Sequence, residues 1–317
     1  MNVCLISFDY WGFDQHIIQE LKTRDGVTAT HINLNDFSYK YPSPLHRIAN
    51  TFNKLLLKKN TKKIKRQQYV IQQLQAIGKQ DVILVIRPDL LDPDTHKIIK
   101  QLTHKYYAYL YDSTKRFPVL PKLEGIFDKI YSFDEDDVAK YGFTHITNYI
   151  YLPQHAIKPI DAFDYAVFIV LSEDERLPSL NAIAAQLNKI NISFKFIVRV
   201  KKTVSGTNGI VFSTSEIRPQ ELVKYLEKAA VFLDIVRIGH NGLSFRVFEA
   251  LAYQKKLITT NASIKNYDFY NPNNIMVIDP DNVIIDPGFF TTPYQPLPEA
   301  LYNKYTIRNF TDTIFFN

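Results

Sequence analysis

The sequence predicts an α/β protein with two doubly wound parallel sheets, one in each half of the chain. Short, wholly apolar segments alternate with helical patterns throughout. This pattern is typical of parallel strands that are covered by helices on both faces. The length of 317 residues suffices for two domains. The alternation lapses within LPQHAIKPIDAF, residues 152–163, so we predict domains spanning 1–155 and 156–317.

Each half contains six predicted strands. In the first half they lie at residues 2–8, 28–34, 82–87, 106–111, 129–133 and 146–151, with helices near 13–23, 44–77 (with a break), 93–104 and 135–141. In the second half they lie at 165–171, 194–200, 209–213, 231–236, 256–260 and 274–279, with helices near 176–190, 218–229 and 243–253. Folds of this order bind ligands at the carboxyl ends of their strands.

Composition favours a cytoplasmic protein. Hydrophobic residues make up 46% of the chain, so each half can bury a core. Cys4 is the single cysteine and falls in the first predicted strand. A disulfide framework is therefore excluded, which fits a reducing compartment. The N-terminus does not resemble a signal peptide, and no run reaches the roughly 20 apolar residues that span a bilayer. We expect a soluble or peripheral protein.

The positive charge of the chain is unevenly distributed. The net charge is +6, and the stretch Lys54–Arg66 contains seven cations and no acid. One interpretation is a solvated helix face. The other is a patch for an anionic membrane surface or a phosphorylated glycolipid, since Leu55, Leu56 and Leu57 lend it amphipathic character. A nucleic-acid partner is disfavoured, because no stacking aromatic residues interleave the cations.

The stretch VFLDIVRIGHNGLSFRVFEALAYQKKL, residues 231–257, predicts an anion site. An apolar strand leads into a loop with two glycines, Gly239 and Gly242, and the loop leads into a helix. Backbone N–H groups at such a helix start, together with the helix dipole, favour phosphate. Arg246 and Glu249 are three residues apart and share one helix face. This combination suits a sugar nucleotide. The amides and the cation would bind the diphosphate, and the carboxylate would accept hydrogen bonds from the ribose hydroxyls.

The segment GHNGLSFRVFEALAYQKKLITTNASIKNYDFYNPNNIMVID resembles the donor-side signature of GT-B glycosyltransferases. It is most similar to bacterial enzymes of lipopolysaccharide or capsular polysaccharide synthesis that are related to the spore-maturation type. Arg246, Glu249 and Ala250 stand at the R-x-x-E-A positions. The resemblance is strongest over residues 218–280, with weaker similarity at FDYWGFD, YLYDS and YSFDEDDVAKYG.

The resemblance implies two Rossmann-like domains that face each other across a cleft. The first domain would bind the acceptor, and the second would bind the nucleotide sugar as a co-substrate. Catalysis would need no metal or cofactor, because cationic side chains and helix amides neutralise the leaving diphosphate. The aromatic tail from Glu299 to Phe316 is predicted to be helical, and the resemblance implies that it packs back on the first domain.

Donor-binding candidates cluster around the glycine-bearing loop. Arg199 ends the strand FKFIVRV, and Asn261 directly follows KLITT. Asn261 has an alternative role as the cap of a short helix. Arg237 and His240 flank the loop, and we expect one of them to face phosphate. The predicted donor-binding residues are Arg199, His240, Asn241, Gly242, Leu243, Ser244, Arg246, Glu249 and Asn261.

Three acids in the first domain follow neighbouring strands. They are Asp9, Asp89 and Asp112. Sugar transfer with inversion needs a base for the acceptor hydroxyl, and we predict Asp112 first and Asp9 second. If configuration is retained, these acids would instead hold acceptor hydroxyls. Asp89 and the aromatic loop residues Tyr10 and Trp11 are predicted to bind the acceptor. Each acid has an alternative role as a helix cap.

No metal site is predicted. The acidic runs, such as residues 134–137, open helices and have no histidine or cysteine at ligand spacing. An alternative function is a non-catalytic, degenerate transferase that scaffolds envelope assembly, since the chain has only 10 glycines. A Rossmann oxidoreductase is disfavoured, because no G-x-G-x-x-G follows the first strand.

Overall fold

The computed structural model describes residues 1–57, 60–116, 118, 123, 125–159, 162–202 and 206–317. Two residues of the predicted basic patch, Lys58 and Lys59, lie outside the described residues, as do the side chains of residues 53–57. The described chain forms two compact units. The first unit contains Met1–Ile146 and Ile314–Asn317, and the second contains Thr147–Thr313.

The first unit is one parallel sheet covered by helices. Its strand order is β2-β1-β3-β4-β5-β6, so the carboxyl ends of β1, β3 and β4 lie side by side. Its central strands are buried because they are apolar on both faces. The elements are β1 (Asn2–Ser7), α1 (Phe13–Lys22), β2 (Thr28–Asn33), α2 (Pro44–Leu57), α3 (Thr61–Ile77), β3 (Gln80–Ile86), α4 (Pro93–Gln101), β4 (Thr103–Leu110), β5 (Lys129–Ser132), α5 (Glu135–Tyr141) and β6 (Thr144–His145).

The second unit repeats this architecture. Its strand order is β12-β11-β10-β7-β8-β9, and the neighbouring strands β10 and β11 carry the candidate loop and Asn261 at their carboxyl ends. The elements are β7 (Tyr165–Ser172), α6 (Leu177–Lys189), β8 (Phe194–Arg199), β9 (Val211–Ser213), α7 (Pro219–Lys228), β10 (Ala229–Asp234), α8 (Phe245–Tyr253), β11 (Lys256–Thr259), β12 (Ile275–Val277), α9 (Glu299–Lys304) and α10 (Ile307–Thr311).

The predicted α/β class with two doubly wound sheets is confirmed. Eleven of the predicted strands coincide with observed strands, because their apolar runs are buried between helices. Cys4 lies in the core of β1, as predicted. Among the helices of the described residues, none combines the length and apolarity needed to cross a bilayer.

The predicted strand at residues 146–151 is wrong. The last strand of the first sheet, β6, is confined to Thr144–His145. The segment that follows pairs instead with the C-terminal part of the second unit. The Ile150 N–H donates to the Tyr305 carbonyl at 2.7 Å, and the Ile307 N–H donates to the Ile150 carbonyl at 2.9 Å. The second unit therefore begins at Thr147, ahead of the domain start we predicted at residue 156.

Candidate functional site

The start of α8 is fixed over the carboxyl end of β10 by a buried aspartate. The Ser244 hydroxyl donates to Asp234 Oδ1 at 2.8 Å, and the Thr259 hydroxyl donates to Asp234 Oδ2 at 2.9 Å. Ser244 is also the N-cap of α8, since its Oγ accepts from the Arg246 N–H at 3.2 Å. Asp234 is buried, so its charge is offset by these hydroxyl donors. We had not predicted Asp234 or Thr259.

Asn261 holds the glycine-bearing loop from the neighbouring strand. Its Nδ2 donates to the Gly242 carbonyl at 3.0 Å and to the Asn241 carbonyl at 3.4 Å. Its Oδ1 accepts from the Ser263 N–H at 3.1 Å, which is the helix-capping role we considered as an alternative. Asn261 therefore shapes the loop, and its contact with a ligand stays a prediction.

The loop itself lies partly in solvent. Gly239 adopts φ +74, a left-handed conformation that glycine accommodates without strain. Ile238 is 88% exposed, His240 is half-buried and Asn241 is exposed. Gly242 and Leu243 are buried where the loop enters α8. The middle of the loop is thus accessible to solvent, while its end is fixed to the start of α8.

Arg246 and Glu249 form a buried ion pair on α8. Arg246 Nη1 lies 2.7 Å from Glu249 Oε2, and the two side chains are only 12% and 3% exposed. The prediction that spacing places them on one helix face is confirmed. The guanidinium also lies over the rings of Phe168 and Phe232, with centroids at 5.8 and 5.6 Å.

Glu249 has a second partner that we did not predict. The Tyr151 hydroxyl donates to Glu249 Oε1 at 2.6 Å. Burial, followed by the charge of Glu249, raises the pKa of this tyrosine, so the hydroxyl keeps its proton. Both carboxylate oxygens are therefore occupied by groups of the chain. Each oxygen can accept a second hydrogen bond, so a donor-binding role for Glu249 stays a prediction.

A cationic cluster lies beside the loop, where β7 and β10 end. Arg176 Nε and Nη2 bind both oxygens of Asp174 at 2.8 and 2.7 Å. Arg237 Nη2 lies 3.3 Å from the same carboxylate. Burial acts to raise the pKa of Asp174, but the hydrogen bonds from Arg176 outweigh it and the pKa is lowered. Two guanidinium groups thus share one carboxylate, in a loop that also carries the exposed acids Glu173 and Glu175.

Arg199 borders this cluster through its backbone, since its carbonyl accepts from the Glu173 N–H at 2.9 Å. It ends β8, which is separated from β10 by β7. Its guanidinium forms an ion pair with Glu216 at 3.1 Å. The structure therefore brings together the predicted residues of the β10–α8 loop and Asn261, but it places Arg199 two strands away. Arg176, which we did not predict, lies closer, since its Nη1 donates to the Ile235 carbonyl at 3.3 Å.

The three acids of the first unit lie along one sheet edge. Asp112 is paired with Arg116 at 2.8 Å. Asp89 binds Arg87 through two bonds of 2.8 Å. The hydrogen bonds that Arg87 donates to Asp89 raise the pKa of Arg87, and the charge of Asp112 adds to this effect. Asp89 and Asp112 thus both act on one cation, Arg87.

Asp9 lies beside an acid that we did not predict, Asp14. Asp9 is 8% exposed and caps α1, since its Oδ2 accepts from the Gln15 N–H at 2.9 Å. Asp14 lies in the first turn of α1 and is 1% exposed. Its Oδ1 accepts from the Tyr111 hydroxyl. Burial, with the charge of Asp9 in addition, raises the pKa of Asp14 to about 7.

The two aromatic residues that we predict to bind the acceptor are exposed to solvent. Tyr10 and Trp11 are each 49% exposed, and their rings meet edge to face with centroids 5.0 Å apart. This leaves ring surface available for stacking on a sugar.

The acidic run at residues 134–137 begins α5, as predicted. The Asp134 side chain caps the helix by accepting from the Asp137 N–H at 3.1 Å. Asp137 in turn accepts from the Thr114 N–H at 2.7 Å. Within the described ranges, no three His, Cys, Asp or Glu side chains are grouped so that they could hold a metal ion.

Comparisons with known proteins identify the fold. No protein-family model and no curated protein matches the sequence. Solved structures do match over the full chain. S. aureus MnaA in complex with UDP has a TM-score of 0.52 at 12% identity, with 100% of this chain and 95% of that chain covered. UDP-GlcNAc 2-epimerase from Methanocaldococcus jannaschii has a TM-score of 0.52 at 10% identity, with both chains covered completely.

A third similar structure is an α,α-trehalose-phosphate synthase (UDP-forming) from Burkholderia xenovorans in complex with glucose-6-phosphate. Its TM-score is 0.55 at 10% identity, and 100% of this chain and 99% of that chain are covered. Identities this low show the fold alone. They confirm the predicted class, a GT-B fold with two Rossmann-like units.

Proposed function

We propose that this protein transfers a sugar from a nucleotide-sugar donor to a saccharide or glycolipid hydroxyl. The proposal rests on the arrangement of side chains at the carboxyl ends of the strands in the second sheet. There, Asp234 and Ser244 fix the start of α8 next to the cationic cluster of Arg176 and Arg237. Helix amides and guanidinium groups together suit a diphosphate. Similar folds whose structures contain UDP, or that are named UDP-forming, favour a UDP-sugar.

In the proposed reaction, the acceptor oxygen attacks the anomeric carbon of the donor. The bond from that carbon to the diphosphate oxygen breaks, and the nucleoside diphosphate leaves with the electron pair. The acceptor proton passes to a carboxylate of the first unit, for which we propose Asp112 or Asp9. Arginine side chains and helix amides stabilise the leaving diphosphate, so we propose that no metal is required. An assay with EDTA in place of Mg²⁺ tests this last point.

We further propose that the product belongs to a bacterial surface polysaccharide. The support is the resemblance of residues 218–280 to enzymes of lipopolysaccharide and capsule synthesis. The acceptor would then be a saccharide or a glycolipid. Incubating purified enzyme, a radiolabelled UDP-sugar and the lipid extract of a capsule-producing bacterium would test the acceptor class, with label expected in the lipid phase.

Nucleotide binding is expected to raise thermal stability. At a ligand concentration of 100 times Kd, binding adds about 2.7 kcal/mol, which corresponds to about 5–10 °C in Tm for a unit of this size. A thermal-shift screen against UDP-, GDP-, CMP- and dTDP-sugars measures this. Arg237→Gln should reduce the shift at equal ligand concentration, because it removes a partly exposed cation beside the loop.

Arg199→Gln is the matched control for that screen. It also removes a partly exposed arginine that is paired with one acid, but two strands away from the loop. An equal reduction of the thermal shift in both variants would show that nucleotide binding depends only on general positive charge. No shift with any nucleotide would contradict the donor site itself.

The base is tested by Asp112→Asn and Asp9→Asn. If Asp112 takes the acceptor proton, its asparagine variant should lose at least about 100-fold in turnover while its nucleotide affinity is kept. Product formation is measured as nucleoside diphosphate released in the presence of acceptor. Full turnover by both variants would indicate a retaining course, in which these acids only hold acceptor hydroxyls.

A non-catalytic binding module is the second candidate function. The observation that favours it is the occupied carboxylate of Glu249, which Arg246 and Tyr151 satisfy within the chain. A protein of this kind would bind a nucleotide sugar without releasing the nucleoside diphosphate. Binding in the thermal-shift screen, combined with no hydrolysis or transfer of any donor, would favour this candidate over the enzyme.

A further inference from the structure

Three apolar side chains of α2 are exposed to solvent. Leu45, Ile48 and Phe52 are 76%, 54% and 59% exposed. Their spacing of three and four residues places them on one helix face. Such a stripe usually packs on a core, so its exposure marks a surface that binds something.

On the other side of α2, the polar residue Asn50 points inward. Asn50 is 5% exposed. Its Nδ2 donates to the Tyr41 hydroxyl at 2.8 Å, and its Oδ1 accepts from the Thr61 N–H at 2.8 Å. The orientation of α2 is therefore held by specific hydrogen bonds. It is the reverse of that expected for an amphipathic helix on a hydrophobic core.

The neighbouring helix α3 has the usual orientation. It buries Val70 and Leu74, while Lys62 and Lys65 are exposed. The inversion is thus a property of α2 rather than of this whole region of the unit. The exposed Ile64 at the start of α3 adds to the apolar surface near the cations.

The charge around this stripe has one sign. Between Asp36 and Asp81 the chain contains ten Lys and Arg residues and no acid. The rest of the chain is therefore net acidic, because the total charge is only +6. Arg47, Lys62 and Lys65 are exposed. Lys63 is paired with Asp92, so it contributes less to the surface charge.

We propose that α2 lies in the headgroup region of an anionic phospholipid bilayer, with Leu45, Ile48 and Phe52 inserted at the acyl boundary and the surrounding cations on lipid phosphates. Apolar insertion and electrostatic attraction act together in such helices. A second copy of the chain is disfavoured as the occupant, because pairing this face with itself would bring like charges together. The inference does not depend on the proposed sugar transfer.

Vesicle co-sedimentation of the full chain tests the proposal. We expect binding to vesicles of two-thirds phosphatidylcholine and one-third phosphatidylglycerol, and little binding to phosphatidylcholine alone. High salt should release the protein, since it screens the lipid charge. Lys62→Gln with Lys65→Gln should weaken binding at least about tenfold and reduce its salt dependence, because each cation near the surface contributes about fivefold.

The apolar contribution to vesicle binding is tested by Phe52→Ser, with Ile284→Ser as its control. Both replace an exposed side chain, 59% and 68% respectively, and Ile284 belongs to the second unit. Phe52→Ser should weaken vesicle binding at least about tenfold, and Ile284→Ser should leave it unchanged. Thermal unfolding and the nucleotide thermal shift should be unaffected in both variants, which separates this test from that of the proposed function.

Three results would overturn the proposal. The first is equal binding to neutral and anionic vesicles, or none to either. The second is undiminished binding by Phe52→Ser. The third is a wild-type dimer in light scattering that Phe52→Ser converts to a monomer, which would identify a second copy as the occupant.

Discussion

Replacing Glu249 by alanine is expected to lower the free energy of unfolding by about 3–5 kcal/mol. The substitution leaves the Arg246 guanidinium, 12% exposed, without its carboxylate partner. The same guanidinium lies over the rings of Phe168 and Phe232, which offer it no hydrogen-bond acceptor oxygen. The Tyr151 hydroxyl also loses its hydrogen bond to the carboxylate, which adds to the cost. Urea denaturation of the wild type and the variant measures the difference.

Two further variants separate charge from hydrogen bonding. Glu249→Gln removes the charge but keeps an acceptor for Tyr151, so its loss should be smaller. The double variant Arg246→Met with Glu249→Met removes both charges and should recover most of the loss, because a buried ion pair is often replaced by apolar side chains at little cost. Wild-type stability of Glu249→Ala would mean that the ion pair is not maintained in solution.

The same series tests whether Glu249 also holds a ligand. If Glu249 binds ribose hydroxyls, the folded Glu249→Gln variant should lose nucleotide affinity. If Glu249 only pairs with Arg246 and Tyr151, the nucleotide affinity of the same variant should equal that of the wild type. The isothermal titration of UDP into Glu249→Gln therefore distinguishes a ligand contact from a structural ion pair.

Ionisation of Asp14 is expected to cost about 4 kcal/mol of stability between pH 4 and pH 7. Burial is the main cause of the raised pKa, the charge of Asp9 adds to it, and bonds from Tyr111 and Ser7 oppose it. The pKa rises from 3.8 to about 7, so between these values the native state binds a proton that the unfolded state has lost. The stabilisation is complete below about pH 4 and is lost as the pH rises through 7.

Asp14→Asn should abolish this dependence, because the amide does not titrate. Urea denaturation of wild type and variant across pH 4 to 8 measures the difference between them. The comparison must be with a variant, since the half-buried His16 and His31 have pKa values lowered by burial and change stability in the opposite direction. Asp25→Asn, which alters an exposed acid, should keep the wild-type slope. An Asp14→Asn slope equal to that of wild type would refute the assignment.

The local pattern of the sequence predicts most of the fold. Eleven strands follow from apolar runs that are buried on both faces, and the breaks between helices follow from Pro, Gly and capping residues. The R-x-x-E spacing correctly predicts that Arg246 and Glu249 share a face, because helix geometry depends only on neighbours along the chain. The acidic run at 134–137 was likewise correctly predicted to begin a helix.

The sequence by itself therefore determined the two sheets, the order of their elements and the loop at the start of α8. Only the tertiary structure decided which polar groups meet. Near that loop, Tyr151 donates to Glu249 and Arg176 lies beside Arg237. In the first unit, Tyr111 donates to the buried Asp14. The tertiary structure also decided that Ile150 pairs with the C-terminal segment rather than with the first sheet. The reason is physical. Periodicity reports the face of an element that is buried, whereas the partner of a buried polar group depends on how the chain folds back over distances of up to about 100 residues, as between Tyr151 and Glu249.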